Sequence, residues 1–221
     1  MGKMRMGILS PFKGKIGTVV GAKWRGGIWY QRAYSDDVKN PRSDNQQIVR
    51  ARFSALAELA HGFLTAHTLG FAADALARPT MTTGNVFFRR NWSHVTASGR
   101  ESVNVDFTGL VCAAGPAVNV HFNAPQFDTP LQVDVDFDDN MEVIGADSED
   151  LVYVFVYCPD AKAGVLSTPA KRHDQTISVP VPSYWNGMKV HVYGFIKNWN
   201  GNPSRPNAVS DSMYIGTGNI G

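Results

Sequence analysis

The sequence predicts a mainly β protein with a small helical part, and three observations carry that prediction. From Ser102 to the C-terminus, short apolar runs are cut by Gly, Pro, Asn or Asp about every ten residues, the texture of an antiparallel β domain. Between Asp44 and Ala66 the apolar positions recur instead at steps of three and four, which is helical spacing. Ahead of both, Lys13 to Tyr34 packs glycine, cation and aromatic ring more densely than any other stretch.

Residues 1–35 read as an extended basic arm carrying a β-ribbon. Ile16–Val20 and Ile28–Tyr34 are the expected strands, joined through Gly21–Gly27, where glycine permits positive φ and close backbone approach. A two-stranded ribbon is marginal alone in water, so the arm needs something to lie on. Its own chain, a sister subunit and nucleic acid all remain open as that support.

Residues 36–100 read as a linker and a two-helix segment. Ser43 with Gln46 has capping-box spacing and opens a helix expected over 44–66. Phe71–Ala77 allows one or two short turns between Gly70 and Pro79. A second helix is expected over 82–96, where Arg89 and Arg90 beside Trp92 make a second basic-aromatic spot. Residues 101–221 then supply seven expected strands: Val103–Phe107, Ala117–Phe122, Leu131–Phe137, Leu151–Tyr157, Thr176–Val181, Met188–Ile196 and Ser212–Ile215. That number and spacing predict an immunoglobulin- or fibronectin-like antiparallel β-sandwich. Val152–Tyr157 and Val190–Ile196 are its expected central strands, while Pro180 and Pro182 push theirs to an edge. The boundary is expected near Ala97–Arg100.

Charge is distributed unevenly. Residues 1–100 carry 15 Lys/Arg against 5 Asp/Glu, and residues 101–221 carry 6 against 14. The first half suits phosphates, or equally the acidic half of a neighbouring copy. A hydrophobic content of 43% excludes general disorder. Cys112 and Cys158 sit in strand-like apolar runs and read as buried thiols rather than a disulfide framework. Only Gly7-Ile8-Leu9 precedes Ser10-Pro11, short of the roughly 7–15 apolar residues of a signal peptide. No run approaches the roughly 20 apolar residues of a membrane span, so a chain made in the cytoplasm is expected, with no membrane partner.

The motifs of catalysis are sparse. Asp134, Asp136 and Asp138 begin like an EF-hand loop, but Asp139 and Gly145 stand where Gly and Glu are needed. Asp138, Asp139, Asp147, Glu149 and Asp150 are conceivable calcium ligands, against the simpler reading of a solvated acidic sheet edge. Gly14–Thr18 lacks P-loop spacing, and no metalloprotease, paired-cysteine or nucleophile-elbow motif occurs. No catalytic residue, cofactor, metal site or small-molecule substrate is therefore expected, and the chain reads as a non-enzyme. The candidate residues are those of the arm: Lys13, Lys15, Lys23, Trp24, Arg25, Trp29, Tyr30 and Arg32. Such residues meet a sister subunit by strand addition, or bind phosphates and stack bases.

Gly7-Ile8-Leu9, the Gly14–Gly21 run GKIGTVVG, Trp24-Arg25-Gly26 and Asn40-Pro41-Arg42 resemble an uncharacterised family of Bacteroidota and their phages. Its members carry a GKxGxVVG…W[KR]G signature ahead of helices and an all-β C-terminal part. Val154–Asp160, Trp185–Tyr193 and Ser210–Gly216 also resemble its strands, so the likeness covers nearly the whole chain. The resemblance implies a place and a style but no functional residues. Together these readings predict a structural subunit that self-assembles into a homo-oligomer through its arm, as part of a virion, ring or filament. The alternative is a nucleic-acid-binding protein using the same arm.

Overall fold

The computed structural model describes residues 12–24, 27–37, 42–77 and 81–221. At its N-terminus β1 (Gly14–Ile16), β2 (Val19–Lys23) and β3 (Trp29–Ala33) form an antiparallel three-stranded sheet in that order. The expected two-stranded ribbon is thus corrected to three strands. Gly17, at φ 57°, turns the chain within the run Ile16–Val20 and splits it into two strands. β2 in turn continues through Gly21–Lys23, which the sequence placed in the connection.

Four helices follow: α1 (Asp44–Gly62), α2 (Leu64–Gly70), α3 (Ala72–Leu76) and α4 (Thr83–Asn91). The helix expected over 44–66 breaks at Phe63, whose φ of −91° and ψ of 11° leave the helical region. Gly62 there lies so close to the Tyr157 ring that a Cβ has no room. Ser43 occupies the N-cap position of α1 but makes no side-chain capping bond, so the expected capping box does not form. α4, capped by Thr82 through Asn85 N–H, ends at Asn91 rather than 96. The Asn91 amide donates to Phe87 and Val111 carbonyls and accepts from Val111 N–H at 2.7 Å, tying the helix end to a distant loop. After a short 3₁₀ turn, β4 (Val95–Ala97) pairs with β5 (Val103–Val105), so a hairpin spans the expected boundary.

The remaining chain is two facing sheets. β6 (His121–Phe122), β7 (Gln132–Asp138) and β11 (Thr176–Pro180) form one, with β7 in the middle. The other is built on β8 (Leu151–Cys158) and β12 (Lys189–Lys197), with β13 (Met213–Asn219) beside β12. On the far side of β8 lie β9 (Ala163–Leu166) and β10 (Ala170–Lys171), two short strands that the sequence reading missed. Six of the seven expected strands enter the facing sheets; Val103–Val105 does not, because it is held by β4 beneath α1. The two facing sheets thus hold six of the seven expected strands together with β9 and β10, and the helices add a third layer.

Alternation along β8 and β12 explains the layers. Val152, Val154, Val156 and Cys158, with Val190, Val192 and Ile196, pack against Val133, Val135, Phe137, Ile177 and Val179 of the smaller sheet. Phe155, Tyr157, Tyr193 and Phe195 point the other way, into Leu56, Leu59, Phe63 and Phe87 of the helices. Strands covered on both faces read as continuous apolar runs rather than alternating ones. The helices and the facing sheets consequently share a core around Phe63, whose ring lies 4.7–5.5 Å from those of Tyr157, Phe155, Tyr193 and Phe87.

Loops at one end of the sheets converge on a buried ion pair. Asp150 and Arg172 are both fully buried, 3.4 Å apart. Asp150 accepts from Asp147 and Trp199 N–H groups and from the Asn202 amide, while Arg172 donates to Val118 and Asp139 carbonyls. Removing either partner would strand a charge away from water.

Two outcomes follow from this packing. Phe63→Ala should cost about 3–5 kcal/mol and leave a single cooperative transition in urea, because helices and sheets share that core. Two separate transitions would show independent units. His191, stacked on Phe107 at 4.2 Å, is pushed down to about 4 by burial and by the nearby Lys189 charge. Its unfolded form takes a proton near 6.5, so its stabilising effect is full above that pH and is lost as pH falls toward 4. The urea midpoint should drop between pH 7 and pH 4.5, and by less in His191→Gln.

Candidate interaction surface on the N-terminal sheet

Strand alternation divides the N-terminal sheet into two unlike faces. Lys15 sits opposite Val20, Val20 opposite Arg32, and Ala22 opposite Tyr30, and cross-strand partners share a face. Trp24 N–H bonds to the Ile28 carbonyl at 2.6 Å and so continues the β2 alternation on that side. Its ring meets Tyr30 edge-on at 6.2 Å. The Lys15 ammonium lies 3.4 Å from the Tyr34 ring centroid and 3.9 Å from Asp36. One face thus gathers Lys15, Trp24, Tyr30, Arg32 and Tyr34.

The opposite face is more apolar. Lys23 pairs with Trp29 in register, its ammonium 5.5 Å from the ring centroid, and Ile16 pairs with Val19. Phe12 folds over Gly21 so closely that a Cβ could not fit there. Lys13 is exposed just ahead of β1. Of the eight expected residues, Lys15, Trp24, Tyr30 and Arg32 share the basic-aromatic face, Lys23 and Trp29 lie on the other, and Arg25 lies outside the described residues. Tyr34 was missed, although it stands two residues beyond Arg32 and alternation alone carries it to the same side.

Among the described residues, neither hydrophobic core includes a side chain from β1–β3. Ile16 is 63% exposed and Trp24 49%. The sheet therefore offers large rings and charges to solvent instead of burying them.

A second surface complements it in charge. Val133, Val135 and Phe137 of β7 point into the core, leaving Asp134, Asp136 and Asp138 on the outer face at two-residue steps, roughly 7 Å apart. Thr176 and Ser178 of β11 flank them, and no described Lys or Arg pairs with any of the three. The alternation puts these carboxylates on the solvent side of the strand, as the sequence predicts, but β7 is the central strand of its sheet rather than an edge. Four of the five candidate calcium ligands are engaged elsewhere, and Asp138 stands on the outer face of β7. Asp150 is committed to Arg172, Asp147 accepts from Glu149 N–H, Glu149 pairs with Lys171, and Asp139 accepts from Gln175. Among the described residues no group of three or more His, Cys, Asp or Glu is placed to hold a metal ion.

The second basic-aromatic spot holds only in part, with Arg89 and Trp92 lining one cleft. Arg90 pairs with Asp74 at 2.9 Å, while Trp92 lies under Arg52 instead, which donates to the Trp92 and Val95 carbonyls. Cys112 and Cys158 are free and buried, and burial raises the Cys112 thiol to about 12, far from reactive. Among the described residues no helix is long and apolar enough to cross a membrane.

These features define a β-rich, layered protein with a separate basic-aromatic sheet at its N-terminus. The chain belongs to the family of unknown function DUF6266, whose model matches residues 11–216. Comparisons with curated proteins and with solved structures gave no match.

Removal of residues 1–37 should leave the rest folded, with a thermal midpoint within a few degrees of the intact chain, because neither core loses a described side chain. A large drop in the midpoint would show that the N-terminal sheet packs against its own chain.

Proposed function

We propose that this protein is a non-enzymatic structural subunit that assembles with copies of itself, the basic-aromatic face of one N-terminal sheet docking on the acidic β7 face of another. One observation carries the reading: the N-terminal sheet shows large rings and cations outside both cores, while Asp134, Asp136 and Asp138 face outward without cationic partners among the described residues. Like-charged faces resist close approach, and unlike ones steer and orient encounter. A contact between two different patches is heterologous, so it closes into a ring or continues as a filament. Among the described residues no further strand pairs with the outer edges of β1 and β3, and their main-chain donors and acceptors can extend a neighbour's sheet. The Bacteroidota and phage setting implied by the N-terminal signature, and a virion as the place of assembly, belong to this same proposal.

Charge reversal tests it. Lys15→Glu with Arg32→Glu should abolish concentration-dependent association in light scattering, as should Asp134→Lys with Asp136→Lys. Mixing the two variants should restore association, since each supplies the intact surface the other lacks. Association should also weaken as salt rises from about 50 to 500 mM. A full-length chain that stays monomeric at high concentration overturns the proposal. So does association that disappears on nuclease treatment, which would place nucleic acid on the basic-aromatic face instead.

A further inference from the structure

The outer side of β13 is a sheet edge that the assembly reading does not use. Edges in folded proteins are ordinarily kept short, charged, interrupted by proline or covered. The other edge strands follow that pattern. β6, β9 and β10 have two to four residues, β4 and β5 have three each, and β11 ends on Pro180. β1 and β3 carry Lys15 and Arg32. β13 runs for seven residues, MYIGTGN, with no proline and no charge. Among the described residues no other strand pairs with its outer side.

The register shows which groups are open. Ile220 N–H bonds to the Met188 carbonyl and the Ile220 carbonyl accepts from Gly187 N–H, so Ile220 faces β12. By alternation Gly218 and Gly216 do the same, while Thr217 and Asn219 turn their main-chain groups outward. Burial agrees: Thr217 and Asn219 are exposed, the two glycines half-buried and Ile220 buried. On the face toward the smaller sheet, Pro125 packs over Gly216 and Phe127 over Gly218, each leaving no room for a Cβ.

Charge selects the occupant. Residues 107–127 and 212–221 contain no Asp, Glu, Lys or Arg, in a chain that is 18% charged overall. These two stretches make up the surroundings of β13. Phe107 stacks on His191 beside Tyr214, Ser212 N–H bonds to the Ala113 carbonyl, and Pro125 and Phe127 cover the glycines. A basic strand finds no counter-charge there, and neither does an acidic one. A second copy of the same edge meets it with no like charges opposed.

We infer that β13 pairs antiparallel with β13 of a second copy about a two-fold axis at Thr217. The axis sets Thr217 opposite Thr217 and Gly216 opposite Gly218, which lie on the same face because they pair with Val192 and Val190 of one core. Thr217 then exchanges both main-chain bonds with its counterpart, and Thr–Thr is a favourable cross-strand pair. Pro125 of one copy comes beside Phe127 of the other, roughly one strand spacing, ~4.8 Å, away. The contact is isologous and closes at two chains, unlike the heterologous contact of the N-terminal sheet, and it does not depend on that sheet.

The test is light scattering on the Lys15→Glu, Arg32→Glu chain, in which the N-terminal contact is removed. It should hold the mass of two chains at every concentration, and equally at about 50 and 500 mM salt, because no charges meet at β13. Adding Thr217→Lys should halve the mass, and so should Thr217→Glu, since each sets two like charges on the axis. Mixing these two variants should restore two chains, as only a contact that sets residue 217 against itself does. Thr217 is exposed, so both variants should keep the parent's circular dichroism spectrum. A single-chain mass before any change at Thr217 overturns the inference, whatever the intact chain does. So does a two-chain mass that survives both Thr217→Lys and Thr217→Glu, or a mixture that fails to regain two chains. A two-chain mass lost on removal of residues 1–37 would make the N-terminal sheet the occupant of this edge and overturn the two-fold pairing.

Discussion

Burial of the β8–β12 pair on both faces is the constraint on which the rest of the structure depends. These two strands pair over seven residues, and their side chains leave alternately toward the smaller sheet and toward the helices. Neither neighbouring layer has another broad apolar surface to close against. The helices are short, and four of them covering 44–91 do not enclose a core without Phe155, Tyr157, Tyr193 and Phe195. The smaller sheet, three strands with one polar face, also gains its stability from what it covers. Gly194 shows how tight the arrangement is: the Phe122 ring occupies the space a side chain would take on β12. Close packing of this kind makes the central strands intolerant of added volume.

The same constraint distributes chemistry over the surface. With both faces of the central sheet consumed by packing, charged groups are left to the outer surfaces, among them the face of β7, the flank of α1, the N-terminal sheet and the loops that carry Lys162, Glu149 and Lys171. The exception is Asp150 with Arg172, a buried pair whose hydrogen bonds tie several loops together. Each oxygen of Asp150 accepts two hydrogen bonds, from groups in three different segments. Such a pair contributes less to net stability than its geometry implies, since both charges lose water. Its value lies in holding 118, 139, 147–150, 172 and 199–202 in one arrangement at the end of the sheets, behind the acidic strand.

Opposite charge on separate surfaces has a further consequence for a chain whose net charge is only +2. The overall balance gives weak global repulsion between copies, whereas the two faces of the proposed contact would attract within about a Debye length, ~8–10 Å. In that proposed assembly orientation, rather than net charge, would govern which surfaces meet. The aromatic rings on the N-terminal sheet add contact area that is insensitive to salt, so attraction and adhesion are carried by neighbouring residues of one small element.

Much of the fold was legible because period and punctuation are local. The helical steps from Ile48 to Phe63, the apolar runs of β7, β8, β11 and β12 and the alternating aspartates of β7 all formed where the sequence placed them. So did the concentration of cations and rings in Lys13–Tyr34, since composition does not depend on packing. The third N-terminal strand was hidden because a single Gly17 turn inside a β-branched run leaves no compositional break. β9 and β10 were hidden because two short strands borrow their order from the edge of β8, not from their own residues. Sequence alone also fixed which residues of β2 and β3 alternate, but not that Tyr34 joins Lys15, nor that Arg42 and Arg100 line one cleft with α1. Those groupings come from strands and turns far apart in the chain, and only the tertiary structure brings them to one place. The sequence determined which faces are apolar and which half is basic; packing decided which of those faces were used up in the core and which were left exposed.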